Sequence, residues 1–216
     1  IPLSAIQLTQ LEVGINVNLP FNTKQVLESC LMHKKEAFKW GNFGYKSNKT
    51  GFSVGGGFEF YDDLYWNTGV SAYVEKLETD NTASASMKKQ KGSYFDTYFN
   101  HTFSYDKRDQ RYKTSDGFIS RFTQNIPLIS ESYTLTNTYN YKIYNEWSDK
   151  NVLTFGFFGK TTNSLTGKNV RLSDRLYLPA SKLRGFESGK IGPKDGADYV
   201  GGNYAPHSLL IRNAFF

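Results

Sequence analysis

Of the 216 residues, only one is cysteine and six are proline. The lone Cys30 excludes an internal disulfide framework and a multi-cysteine metal site. His33, His101 and His207 are scattered, and no serine pairs with any of them in a pattern that suggests nucleophilic catalysis. Apolar residues make up 38%, and no run approaches the ~18–20 that a membrane-crossing helix requires. The net charge of +6 is spread thinly, with no dense basic block, which argues against nucleic acid as a partner. The opening Ile1-Pro2-Leu3 lacks the basic and apolar segments of a secretory signal. It also lacks a methionine, so the sequence reads as beginning inside a longer protein.

What is abundant points to β-structure. Fifteen Tyr, 17 Phe and 19 Gly suit pleated, half-buried surfaces and leave disorder without support. From Lys49 onward the residues alternate. Phe52, Val54, Phe58 and Phe60 share one face, and Ser53, Gly55, Gly57 and Glu59 the other. After Tyr61-Asp62-Asp63, Trp66, Thr68, Val70, Ala72 and Val74 oppose Asn67, Gly69, Ser71, Tyr73 and Glu75. A polar loop follows over residues 78–93. Phe95, Thr97, Phe99, His101, Phe103 and Tyr105 then oppose Tyr94, Asp96, Tyr98, Asn100, Thr102 and Ser104. Three further alternating stretches lie within Phe118–Ile126, Thr134–Ile143 and Leu153–Lys160.

This gives about six strands of about nine to twelve residues, close to the ~9–11 of a tilted transmembrane strand. Shorter and longer connections alternate, and aromatics (Tyr45, Trp66, Tyr94, Tyr105, Tyr144, Trp147) gather toward strand ends, as in outer-membrane barrels. A soluble sandwich or lipocalin-like barrel would also alternate. Against it, the polar face carries Thr, Asn, Ser and Gly rather than Lys and Glu, which suits a wet lumen.

Other segments carry less. Residues 1–40 show mixed periods, and Thr23 to Trp40 allows a short amphipathic helix with Val26, Leu27, Cys30 and Leu31 together. Gly55-Gly56-Gly57 has no lysine or helix after it, so it reads as a bend or bulge rather than a phosphate cradle. Asp106, Asp109 and Asp116 could in principle hold calcium, but their context favours a solvated turn.

Two motifs stand out. One is Tyr105-Asp106-Lys107-Arg108-Asp109 followed by Ser115-Asp116-Gly117-Phe118, a charged turn in which Gly117 permits positive φ. The other is Leu183-Arg184-Gly185-Phe186 leading to Ile191-Gly192-Pro193 and Gly201-Gly202-Asn203, with Asp174-Arg175-Leu176-Tyr177-Leu178-Pro179 as its approach. Together they resemble the bacterial surface antigen family, the BamA-like outer-membrane assembly factors, from about Tyr45 to Tyr204. The resemblance implies an all-β fold: a partial antiparallel transmembrane β-barrel with the long inward-folded loop of a barrel of about sixteen strands. It implies that the loop's Arg184 meets acidic and aromatic partners on the inner wall. Chemically, Arg184 offers a planar fork for a carboxylate, Gly185 a tight turn and Phe186 an apolar anchor, while Gly192 and Pro193 shape the loop.

The implied function is assembly and insertion of β-barrel proteins into the bacterial outer membrane. It involves no bond chemistry, no cofactor and no metal. The partners would be unfolded outer-membrane clients, accessory lipoproteins, and outer-membrane lipid with lipopolysaccharide. A polypeptide translocation pore of the same superfamily is the alternative, and a passive channel or surface antigen a more distant one. The chain divides into a poorly matching segment 1–44, a barrel domain 45–204 and an aberrant tail 205–216. In that tail Pro206 is unwelcome in a central strand and no carboxylate follows Asn203. The loss of pattern at both ends reads as an incomplete stretch of a longer gene with its frame lost.

Overall fold

The computed structural model describes residues 9–18, 28–39, 45–81, 83–148, 151–177, 191–196 and 198–214, with side chains between 45 and 206. Nine strands form one antiparallel sheet in the order β1-β2-β3-β4-β5-β6-β7-β8-β11. They are β1 (Thr9–Asn18), β2 (Glu28–Lys39), β3 (Tyr45–Tyr61), β4 (Leu64–Thr79), β5 (Gly92–Asp106), β6 (Gly117–Ile129), β7 (Thr134–Ser148), β8 (Asn151–Ser164) and β11 (Tyr204–Ala214). A helical turn, α1 (Ala85–Lys88), sits between β4 and β5, and the small hairpin β9 (Lys194–Asp195) and β10 (Asp198–Tyr199) lies between β8 and β11.

The six alternating stretches of the sequence are β3 to β8, at 17, 16, 15, 13, 15 and 14 residues. All exceed the ~9–11 needed to cross a bilayer, so their ends stand clear of it. The sheet also contains three strands that the alternation did not reveal. Within the stretch Thr23 to Trp40, where the sequence allowed a helix, Glu28–Lys39 is instead β2, in register with β3 from Cys30↔Gly55 to Lys39↔Lys46. Residues 205–214 continue the wall, pairing with β8 from Tyr204↔Thr161 to Ala214↔Asn151. Pro206 faces Gly159 there. The bend expected at Gly55-Gly56-Gly57 also falls elsewhere: register runs unbroken through the glycines and shifts between Glu59 and Tyr61, where the chain tightens into the Asp62-Asp63 turn.

The two faces differ as the alternation predicts, and their placement excludes the soluble alternative. Phe52, Phe95 and Phe155 are 55%, 50% and 42% exposed, together with Val54, Val70, Val74 and Phe157. A soluble sandwich or lipocalin-like barrel would bury this face as its core. Here the long connection packs on the opposite, polar face, where Asn100 donates to Ser71 (2.9 Å) and Thr102 bonds Thr123 (2.9 Å). Apolar outside and polar inside is the membrane-barrel arrangement. His101 lies on the outer face among Phe99, Phe103 and Phe122, with Nε2 against Gln124 Oε1 at 3.1 Å.

Connections sort by end. The connections after β3, β5 and β7 lie at one end, and those after β4, β6 and β8 at the other. The last of these, far the longest, turns back onto the polar face.

Candidate functional site

The interior of the wall is built around one cation. By strand parity, Glu75 on β4 and Asp96 on β5 point inward, on adjacent strands at neighbouring register positions: Glu75 faces Tyr94, and Asp96 faces Tyr73. Both carboxylates are fully buried, and Arg171, from the long connection, lies between them at 5% exposure. Its Nη1 donates to Glu75 Oε2 (3.0 Å) and to Asp96 Oδ2 (2.7 Å). Its Nη2 donates to Asp96 Oδ1 (3.2 Å) and Ser132 Oγ (3.1 Å). The guanidinium lies 4.1 Å from the centre of the Tyr94 ring.

Hydroxyls complete the network. Ser47 and Ser173 donate to Glu75, and Ser130 donates to Asp96 Oδ1 at 2.6 Å. Lys49 stands 3.7 Å from Glu75 Oε1, and Ser132 donates to Asp174 Oδ2 at 3.4 Å. Burial works against the Arg171 charge. The hydrogen bonds to Asp96, with the charges of Asp174, Asp96 and Glu75, more than offset it and raise its pKa. Burial pushes the Asp174 carboxyl above its usual range, against the pull of Lys49 and Arg171. The arrangement locks a loop to a wall with a planar fork whose two terminal nitrogens each make two hydrogen bonds.

An apolar cluster backs the lock. Leu172, next to Arg171, is fully buried with Leu77 and Met87, and Tyr45, Ala83 and Val200 join them, with Tyr94, Tyr177 and Tyr199 packed around. Tyr45 OH donates to Leu172 O (3.4 Å), and Leu172 N donates to Gln90 Oε1 (2.9 Å). The return of the loop is tied in as well. Leu176 and Gly202 exchange backbone bonds at 2.8 and 2.9 Å, and Val200 N reaches Pro193 O at 3.0 Å. Ser84, the N-cap of α1, donates to Asp195 Oδ2 (2.7 Å), as does Ser86, and these bonds hold the Asp195 carboxyl below its usual range.

Of the loop motif, Leu183, Arg184, Gly185 and Phe186 lie outside the described residues. Gly192 adopts φ +127°, and Pro193 supplies the carbonyl that closes the small hairpin. Among the described residues, the pairing of a loop arginine with acidic and aromatic wall partners is made by Arg171, thirteen positions earlier. Sequence reasoning missed it. The available signal was two carboxylates, Glu75 and Asp96, on strand faces otherwise filled by Ser, Asn and Tyr, which require a buried cation. The strand after Gly201-Gly202 begins at Tyr204, because Gly202 is used in the bridge to Leu176.

The turn motif is brought together as a unit. Arg108 grips Asp106 bidentately, Nε to Oδ1 and Nη2 to Oδ2, both at 2.7 Å. Asp109 accepts from Ser115 N (3.1 Å) and Ser115 Oγ (2.6 Å), bonds that lower its pKa, with the serine side chain the largest cause. The carboxylate oxygens of Asp106 and Asp109 are therefore directed to Arg108 and Ser115. Gly117 has φ +94°, and a Cβ there would lie 2.1 Å from Lys107 O, so only glycine fits. Tyr105 stacks edge-on to Phe118 across the strand pair, with centroids 5.6 Å apart.

Comparison with known proteins agrees with this geometry. The sequence model of the Omp85 superfamily domain matches residues 6–212. No curated protein matches by sequence. Among solved structures, the chain resembles the crystal structure of BamA from Haemophilus ducreyi lacking POTRA domains 1-3, with a TM-score of 0.75 at 20% identity, over 92% of this chain and 44% of that one. The chain thus spans less than half the length of that relative.

Proposed function

Since the chain belongs to the Omp85 superfamily, we propose that it is a stretch of barrel wall from a protein that assembles and inserts β-barrel proteins into the bacterial outer membrane. The observation that carries this reading is the long connection folded onto the polar face and locked there by Arg171 between Glu75 and Asp96. Bracing the long connection across the interior wall would narrow a passive pore without serving conduction. An assembly machine needs a wall braced from within, so that its edge can open to a client while the rest of the cylinder holds.

The mechanism is templating without bond chemistry. A client strand adds to an exposed barrel edge by main-chain hydrogen bonds, and the client's alternating side chains sort to lipid and lumen. Clients are unfolded outer-membrane proteins, delivered with accessory lipoproteins. Arg184, carried over from the family motif, is a second loop anchor. The test is the full-length parent carrying Arg184→Ala, scored for outer-membrane protein levels in cells and for insertion of a client into vesicles. Both fall if the reading holds, and normal levels overturn the role of Arg184. Export of a polypeptide with no insertion would replace assembly by translocation.

A further inference from the structure

Where the outward apolar face stops, at the end carrying the long connection, a rim of lysines begins. Lys46 on β3 and Lys76 on β4 share the strand faces of Phe52 and Val74, and Lys46 is the register partner of Glu78. Lys76 is paired across β5 with Ser93, and Lys89 and Lys91 stand just before that residue in the chain. All four lysines are exposed. Two acids lie among them. Glu78 is held by Lys76 at 3.0 Å and also feels Lys46 and Lys91; Asp80 is the other. Cations are therefore in excess here. At the opposite end they are matched: Lys107 is paired with Asp63 at 2.6 Å, and Arg108 with Asp106 at 2.7 Å. Directly below the rim, Phe52, Val74 and Phe95 are about half exposed.

Resting on the reading of this sheet as an outer-membrane wall, we propose that Lys46, Lys76, Lys89 and Lys91 dock the phosphate groups of a phosphorylated membrane lipid in the leaflet at the long-connection end. Its acyl chains lie on Phe52, Val74 and Phe95. The occupant follows from the juxtaposition: separated cations above an apolar strip complement an amphiphile with anionic heads, and barrel loops of this length face the outer leaflet. A soluble anion would have no use for the strip, and a neutral lipid none for the lysines.

The experiment uses the full-length parent in neutral detergent and native mass spectrometry. The probes are diphosphorylated lipid A, phosphatidylcholine and inorganic phosphate. Lipid A retention falls about fivefold for each of Lys46→Gln, Lys76→Gln and Lys91→Gln, and about a hundredfold for the triple variant. It weakens with salt, and the triple Arg variant stays near wild type. Lipid A retention by the triple Gln variant within twofold of wild type overturns the proposal. So does equal retention of phosphatidylcholine, or inorganic phosphate binding as well as the lipid. Heat-modifiable gel migration checks that each variant is folded. A parent that retains lipid A yet inserts no client would sink the assembly reading and leave this site standing.

Discussion

Replacing Arg171 by methionine in the full-length parent removes the fork and leaves Glu75 and Asp96 buried with no strong cation. Lys49 is 27% exposed and reaches only Glu75, at 3.7 Å, so it compensates little. Breaking a buried ion pair from one side costs about 3–5 kcal/mol, because the abandoned charge loses its solvation and gains nothing. That corresponds to a shift of about 10²–10⁴-fold in the equilibrium between docked and released loop. Lys at this position keeps the charge but loses the bidentate geometry and the stacking on Tyr94, and its cost falls between. The decisive variant is the triple change Arg171→Met, Glu75→Gln and Asp96→Asn. With no charge left to strand, most of the loss returns, since whole-network replacement is near neutral where single removal is not. Protease access to residues 165–203 and chemical unfolding in detergent micelles read the two states. An Arg171→Met protein within about 1 kcal/mol of wild type, below the range expected for a buried pair, would refute the reasoning. So would a triple variant no more stable than the single.

Three more outcomes follow from the same structure. Leu172→Ala opens a cavity in the cluster with Leu77 and Met87 and lowers unfolding stability by about 2–5 kcal/mol in micelles. Gly117→Ala forces a Cβ to 2.1 Å from Lys107 O at φ +94°, costing on the order of 1–3 kcal/mol, with raised hydrogen exchange confined to residues 107–116. Asp174→Asn tests the raised carboxyl. A folded pKa above the unfolded one means the folded state binds more protons, so the ionised group costs stability at neutral pH and that cost vanishes as pH falls below the ordinary carboxylate range. The variant is therefore at least as stable as wild type near pH 8, and any gain over wild type fades on acidification. A gain that grows toward acid would contradict this.

The wall was legible because its two faces see different solvents. Lipid outside and water inside force apolar and polar residues to alternate, and Phe95 to Tyr105 displays this plainly. β2 was not legible because Lys34, Lys35 and Glu36 interrupt any apolar stripe. Its place is set by pairing with β3 rather than by its own pattern. β11 was obscured by Pro206, a residue unexpected inside a strand. The turn motif could be read because its contacts are local: Arg108 to Asp106 and Ser115 to Asp109 span two and six residues. The loop lock could not, because Arg171 meets Glu75 and Asp96 across 96 and 75 residues. Nothing local marks an arginine whose partners are that far off.

That long separation also bears on how the lock works. From β1 to β8 each strand pairs with its neighbour in the chain, and Glu75 and Asp96 are brought together by the pairing of β4 with β5 alone. Arg171 comes from the connection after β8, so the carboxylates remain without their fork until three further strands have formed. During that interval Ser47, Lys49 and Ser130 are the partners already at hand on β3 and beside β6. Burial of Glu75 and Asp96 then waits on the loop, and Leu172 enters with Arg171 because the two are adjacent. Charge pairing and apolar burial are thus completed in one step, after the wall exists. A loop anchored only by apolar contacts could settle on the wall in several registers. The fork, demanding both carboxylates and Ser132 at once, admits one.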